Sequence, residues 1–202
     1  LNAGELVVMD YAGSLDYLTV DITRTWPVSG RFTDAQLKAY QTTLEAQKAI
    51  IAAIRPGVTR ATVRTIAEEI FRKNGFDPRY AYVGHYVGLS VHDVGDWNLP
   101  FEAGMTMAIE PIIDIPDQQL HIRVEDTILV TPTGAEILSA AVPKEISQLQ
   151  ELIECGRACA GKTPAIRERL DDHHLAFAHV TRALETALRE LEVKHQRVGS
   201  NA

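Results

Sequence analysis

The 202-residue sequence contains no apolar run near the roughly 20 residues that a membrane-spanning helix requires, so no transmembrane helix is expected. It is poor in cysteine. The only two, Cys155 and Cys159, share one short segment, which excludes a disulfide framework and favours a reducing compartment such as the cytoplasm. Positive charge is also scarce, with 20 Lys and Arg against 27 Asp and Glu. A net charge of -7 leaves no basic stripe to displace counterions, which argues against nucleic-acid binding. No basic stretch leads into an apolar one near Leu1, so a secretory signal is not expected in the chain as it stands. No internal repeat of short period is present. What remains, 46% hydrophobic and 23% charged residues, suits one sizeable globular core, or one domain with an appendage.

Residues 5–12 and 17–25 are rich in β-branched and aromatic side chains and predict two strands, with Gly13 and Ser14 in the turn between them. After a Pro27–Gly30 loop, Asp34 to Ile54 predicts a helix that Pro56-Gly57 ends. Thr59 is a fitting N-cap for a second helix reaching about Asn74-Gly75. The stretch YAYVGHYVGLSVHDVG carries glycines that suggest close backbone approach or a bulge. Residues 104–115 and 120–131 predict two more strands around a Pro116-Asp117 turn. This order points to an α/β or α+β domain. Beyond Pro143 the texture becomes helical, over 144–160 and again over 165–198. There Leu170, Phe177, Leu184 and Leu191 recur every seven residues. That stripe fits a helix covering its parent domain, or a short coiled coil that would make a homo-oligomer.

Two pairs of carboxylates stand out. If the first hairpin turns between Leu15 and Asp16, Asp10 faces Asp21. If the second turns between Asp117 and Gln118, Glu110 faces Glu125. Like charges directly across a ladder are destabilising unless a positive group sits between them, so two such pairs suggest a shared cation site. Alternation places Glu110 and Glu125 on one face with Arg123 and His121, and Met105, Met107, Ile109, Ile122, Val124 and Ile128 on the other. The plainer interpretation is a set of edge-strand acids facing solvent, one of them neutralised by Arg123. His85 and His92 could add nitrogen ligands. Their odd offset puts them on opposite faces of a straight strand, so both reach one site only if the chain bends near Gly88.

The segments VMDYAGSLDYLTVDITRTWPVSGRFT, GHYVGLSVHDVG, GMTMAIEP and IRVEDTILVT resemble the successive motifs of the pita-bread metallopeptidases, and most of all aminopeptidase P and its prolidase relatives. The resemblance covers about residues 1–145. It implies the pita-bread fold for that portion, and the helical texture beyond it predicts a helical C-terminal extension over 146–202. It implies two divalent metal ions, manganese first with cobalt or zinc as alternatives, ligated by Asp10, Asp21, His85, Glu110 and Glu125. In that scheme Asp21 and Glu125 bridge the metals, Asp10 binds the first, and His85 with Glu110 binds the second. Glu110 would also shuttle a proton for the attacking water. His92 would hydrogen-bond the substrate or the developing oxyanion, and Arg123 would fix a ligand carboxylate. The implied activity is hydrolysis of peptide bonds preceding proline, as an Xaa-Pro aminopeptidase. The alternatives are an Xaa-Pro dipeptidase and a non-catalytic relative that only binds peptides or proteins.

Three departures accompany the resemblance. Ala81 stands where the family usually has a further histidine. The run after Glu110 is Pro111-Ile112-Ile113-Asp114 in place of Pro-Gly-hydrophobic-Tyr. The family's catalytic domain also begins well before its first aspartate, so the chain resembles the C-terminal portion of a longer enzyme. Residues 156–163 match the letters of a phosphate-binding loop, but helical spacing precedes them and Pro164 follows, so nucleotide binding is not expected. Cys155 and Cys159 with His173 and His174 lack zinc-site spacing, and no nucleophile-elbow pattern is present.

Overall fold

The computed structural model describes residues 1–160. The heptad segment, His173, His174 and the end of the loop-like 156–163 stretch lie outside them. The strands among these residues are β1 (Leu6–Leu15), β2 (Leu18–Pro27), β3 (Gly84–Tyr86), β4 (Thr106–Ile109), β5 (Ile112–Ile115), β6 (Leu120–Arg123), β7 (Asp126–Val130) and β8 (Ala135–Ile137). The helices are α1 (Asp34–Ala53), α2 (Arg60–Lys73) and α3 (Ile146–Ala160). Leu1–Leu138 forms one compact unit, and α3 belongs to a second.

Both first-unit helices begin as their caps dictate. The Thr33 side chain accepts from the Gln36 amide while the Gln36 side chain accepts from the Thr33 amide, a reciprocal capping box. The Thr59 hydroxyl accepts from the Thr62 amide. Helix α1 buries Ala39, Tyr40, Leu44, Ile50 and Ile51 and packs against β4, β5 and β6.

The β1–β2 hairpin corrects the expected register. Its turn is Asp16-Tyr17, both at positive φ (50° and 70°), and not one residue earlier. A two-residue hairpin loop needs left-handed backbone at both central positions to match strand twist. Gly13 and Ser14 therefore lie inside β1. Asp10 faces Thr23, and Asp21 faces Ala12. The two aspartates stay on one face but are diagonal neighbours rather than direct partners.

The second hairpin keeps the expected register and breaks where the acids sit. Ile109 pairs with Asp126 in the β4–β7 ladder, and Ile112 pairs with Arg123 in the β5–β6 ladder, so one alignment runs through both. Between them Glu110 and Glu125 leave the ladder. The Glu110 amide donates to the Val83 carbonyl (3.0 Å) and the Glu125 amide to the Thr23 carbonyl (3.0 Å). Pro111, with no N–H to offer, makes the interruption inexpensive. Each long strand expected from the sequence is thus two short ones, and β8 joins the edge of the β3-β4-β7 sheet. The apolar face forms with Met107, Ile109, Ile122, Val124 and Ile128 buried, while Met105, expected with them, is only half-buried just before β4.

Strand β2 runs beside β6 and β7 without a main-chain ladder to either. Hydroxyls replace it. The Arg123 amide donates to Thr25 Oγ1 (3.1 Å), which donates to the Arg123 carbonyl (2.8 Å). The Asp21 amide donates to Thr127 Oγ1 (2.8 Å), which donates back to the Asp21 carbonyl (2.8 Å). Behind this seam Arg24 and Asp126 form a buried ion pair at 2.7 Å, and Gln47 Nε2 donates to the second Asp126 oxygen at 3.1 Å.

Gly84 shows why the aromatic stretch needs glycine. Its φ is +138°, and a Cβ there would lie 1.8 Å from the Ala108 carbonyl oxygen. Gly84→Ala is expected to lower unfolding stability by about 3 kcal/mol or more, from backbone strain plus a clash with β4. Denaturant unfolding checks this; a loss under about 1 kcal/mol would mean that the approach is not constraining.

Candidate metal centre

Asp21 and His85 are buried, and so are Glu110 and Glu125. They arrive from β2, from β3 and from the two interruptions of the second hairpin. His85 Nε2 lies 3.2 Å from Glu110 Oε1, 3.5 Å from Asp21 Oδ2 and 3.8 Å from Glu125 Oε1. One ligand atom from each of Asp21, His85 and Glu125 falls within 4.8 Å of the others. Asp10 is exposed and joins through intermediaries. Thr23 Oγ1 lies between Asp10 Oδ1 (3.1 Å) and Glu125 Oε2 and shares its single proton with them. The Arg123 guanidinium reaches Glu110 Oε2 (3.4 Å) with one nitrogen and Asp10 Oδ2 with the other.

The bend that the two histidines require is present. The Gly88 carbonyl accepts from the Thr19 amide (2.8 Å), and the Gly88 amide donates to Ser90 (3.1 Å). A Cβ on Gly88 would lie 2.2 Å from Asp93 Oδ2. The chain reverses, and the exposed His92 ring comes to 4.1 Å from the His85 ring. His121 pairs instead with Asp114 across β5 and β6, at 3.2 Å and half-exposed.

The electrostatics identify what the cluster lacks. His85 Nδ1 lies 3.0 Å from the Tyr86 carbonyl, an acceptor that holds a proton on that nitrogen. In the neutral ring Nε2 would then aim its lone pair at three carboxylates. Without a cation the ring must take a second proton. Burial alone would depress its pKa, but the hydrogen bonds to Asp21 and Tyr86 and the charges of Glu110 and Glu125 raise it to about 9. Burial, then repulsion from Glu110 and Asp21, pushes Glu125 up to about 8 against the opposing Thr23 hydrogen bond. Burial raises Glu110 to about 6 although His85 and Arg123 pull it down. Glu125 Oε1 is buried with no hydrogen-bond partner. An orphaned carboxylate oxygen beside an imidazole nitrogen and two further acids is a donor set that fits a hard divalent cation.

Residues 1–132 match the family described as Metallopeptidase family M24. The chain belongs to that family. Human Xaa-Pro aminopeptidase 3 is 34% identical over 187 residues, covering 78% of this chain and 36% of the human protein. Among solved structures, proline aminopeptidase P II from Yersinia pestis superposes with a TM-score of 0.69 at 30% identity, covering 77% of this chain and 43% of that one. Prolidase from Pyrococcus furiosus gives a TM-score of 0.63 at 36% identity, covering 68% and 42%. The chain therefore spans about two fifths of the length of these M24 relatives. Its mixed α/β fold is the pita-bread architecture of aminopeptidase P and prolidase.

The sequence reading missed Thr23 and Thr127, which seat Glu125, Asp10 and Asp21, and the Arg24–Asp126–Gln47 network behind them. Arg24 also donates to the Glu125 carbonyl. The only available signal was position: Thr23 lies two residues from Asp21 on the same strand face, and Asp126 is adjacent to Glu125.

These pKa shifts share one sign. His85 contributes stability that is full below its ordinary 6.5 and lost as pH rises through about 9. Glu110 and Glu125 hold protons in the fold above their ordinary 4.5, so the stability they confer is lost as pH rises through about 6 and 8. In chelator, Tm should fall steadily between about pH 5 and 9. Added divalent metal should raise Tm most at the alkaline end, where ligands are deprotonated. A chelated Tm independent of pH across that window would contradict the arrangement.

Proposed function

We propose that the protein hydrolyses peptide bonds that precede proline, releasing the N-terminal residue of Xaa-Pro peptides with the help of two divalent ions. The observation that carries the proposal is the convergence of Asp21, Glu110 and Glu125 on His85 Nε2, with Glu125 Oε1 left without a hydrogen bond. Asp10, Asp21, His85, Glu110 and Glu125 would hold the ions, within a catalytic portion spanning residues 1–145. Four carboxylates and one imidazole favour manganese over thiolate-seeking metals, with cobalt and zinc as substitutes. When bound, such ions supply a water that loses its proton near neutral pH.

The chain's own groups do the rest. Glu110, 3.2 Å from His85 Nε2 and 3.4 Å from the Arg123 guanidinium, is placed to carry a proton from the attacking water to the leaving amine. His92, against His85, can donate to the carbonyl oxygen as it gains charge. Arg123 holds Glu110 and Asp10 in place through its two terminal nitrogens. Prolidase activity on Xaa-Pro dipeptides is the second reading, favoured by the 35% identity to the Xaa-Pro dipeptidase of Pyrococcus furiosus. The cysteine-poor composition supports a reducing compartment such as the cytoplasm, and the heptads of 165–198 support self-association.

Metal analysis of the purified protein should find about two divalent ions per chain. With manganese it should release the first residue of an Xaa-Pro-Xaa tripeptide faster than it splits an Xaa-Pro dipeptide; the reverse order would select the prolidase reading. Glu110→Gln should lower kcat by about a hundredfold or more. Two bound ions without hydrolysis of either peptide would favour a peptide-binding relative instead.

A further inference from the structure

The loop over residues 89–98 carries His92, and its placement depends on contacts outside the carboxylate cluster, one of them to the Tyr86 carbonyl that also lies 3.0 Å from His85 Nδ1. Asp93 organises the near half. Its amide donates to the Tyr86 carbonyl (2.9 Å), and its carboxylate accepts from the amides of Leu89 and Val94 (2.8 Å each). The far half is held by rings. Trp97 stacks on Tyr86 with centroids 4.2 Å apart and planes 27° from parallel, and the Tyr86 hydroxyl donates to the Asp96 carbonyl (3.3 Å). Gly95 permits this closeness, since a Cβ there would lie 2.1 Å from the Tyr86 ring.

Arg60 also packs over Trp97. Its guanidinium carbon is 4.6 Å from the Trp97 ring centre and 5.8 Å from that of Tyr82. Tyr82 precedes Val83, whose carbonyl receives the Glu110 amide. Two features make Arg60 unusual. It is the first residue of α2, where the helix dipole disfavours a cation, and no acid occupies that first turn. Among the described residues its guanidinium has neither a hydrogen bond nor an ion pair, and Nε is shut away from water without a partner. A cation in such a place is stabilised by the two ring faces, to which a flat guanidinium is well matched.

We propose that Arg60 is a positioning residue for His92: wedged between Trp97 and Tyr82, it holds the 89–98 loop against β3 so that the His92 ring stays beside His85. The proposal rests on the peptidase reading only for its catalytic consequence. The geometric consequence stands by itself.

The test uses the full chain with Arg60→Met, which keeps length and loses charge, and Arg60→Lys, which keeps charge and loses the plate. In metal-free protein, the nuclear Overhauser contact between the His85 and His92 rings should vanish in Arg60→Met. Exchange of the Asp93 amide should accelerate about tenfold or more. With manganese, kcat on an Xaa-Pro-Xaa peptide should fall about tenfold to a hundredfold, while KM and metal content hold. Arg60→Lys should restore part of both. If Arg60→Met does not fold, Tyr82→Leu removes one of the two rings under Arg60 while leaving the Trp97–Tyr86 stack, and should give the same pattern in weaker form. A retained His85–His92 contact together with unchanged Asp93 exchange in the folded variant overturns the proposal. If the unmodified protein hydrolyses nothing, the peptidase reading fails, and the ring contact and amide exchange still decide the role of Arg60.

Discussion

Mutual repulsion among buried carboxylates is the constraint around which this protein is arranged. Asp21, Glu110 and Glu125 are brought together around one imidazole nitrogen in a poorly solvated space. Such a group of charges persists only with positive charge among them, whether protons or a metal. The proton-bearing solution is visible in the raised pKa values of His85, Glu110 and Glu125. The metal solution accounts for the oxygen that protons leave unserved, Oε1 of Glu125.

Holding that repulsive group requires stiffness, and the fold supplies it by interrupting its own ladder. Glu110 and Glu125 would be ordinary cross-strand partners if the second hairpin continued unbroken. Their amides turn outward to Val83 and Thr23 instead, which ties the hairpin to the His85 strand on one side and the Asp21 strand on the other. Thr25 and Thr127 then join β2 to the hairpin through hydroxyls that both accept and donate. The Arg24–Asp126 pair lies behind. A buried pair of this kind is weak as a source of net stability, but removing one partner costs about 3–5 kcal/mol, so it fixes the arrangement it occupies. The buried acids are thus tied down by hydrogen bonds from both flanking strands. His92 sits on a loop, outside that tied-down set.

Membership of the M24 family and the pita-bread likeness concern the portion the chain shares with its relatives, about two fifths of their length. Within it the departures are local. Ala81 is fully buried, so that position holds a packed methyl group. Asp114 pairs with His121 on an exposed stretch of the β5–β6 hairpin rather than entering the acidic cluster.

Much of this was legible in the residues. The Pro56-Gly57 stop, the Thr59 cap and period-two alternation set the end of α1, the start of α2, the second hairpin's register and most of its apolar face, because each depends on interactions within a few residues or across one turn. The first hairpin's register was misplaced by one turn residue, since Gly-Ser is a common turn pair and Asp16-Tyr17 adopts left-handed backbone only in context. The sequence by itself determined which groups could bind a cation and which strand face they occupy. Only the tertiary structure decided that His85 meets them, that the chain bends at Gly88 to bring His92 alongside, and that threonine hydroxyls close the seam. Several of those contacts join residues far apart in the chain, such as Thr19 with Gly88, 69 positions apart, and Asp21 with Thr127, 106 apart. Local propensity has no term for such distances, and packing does.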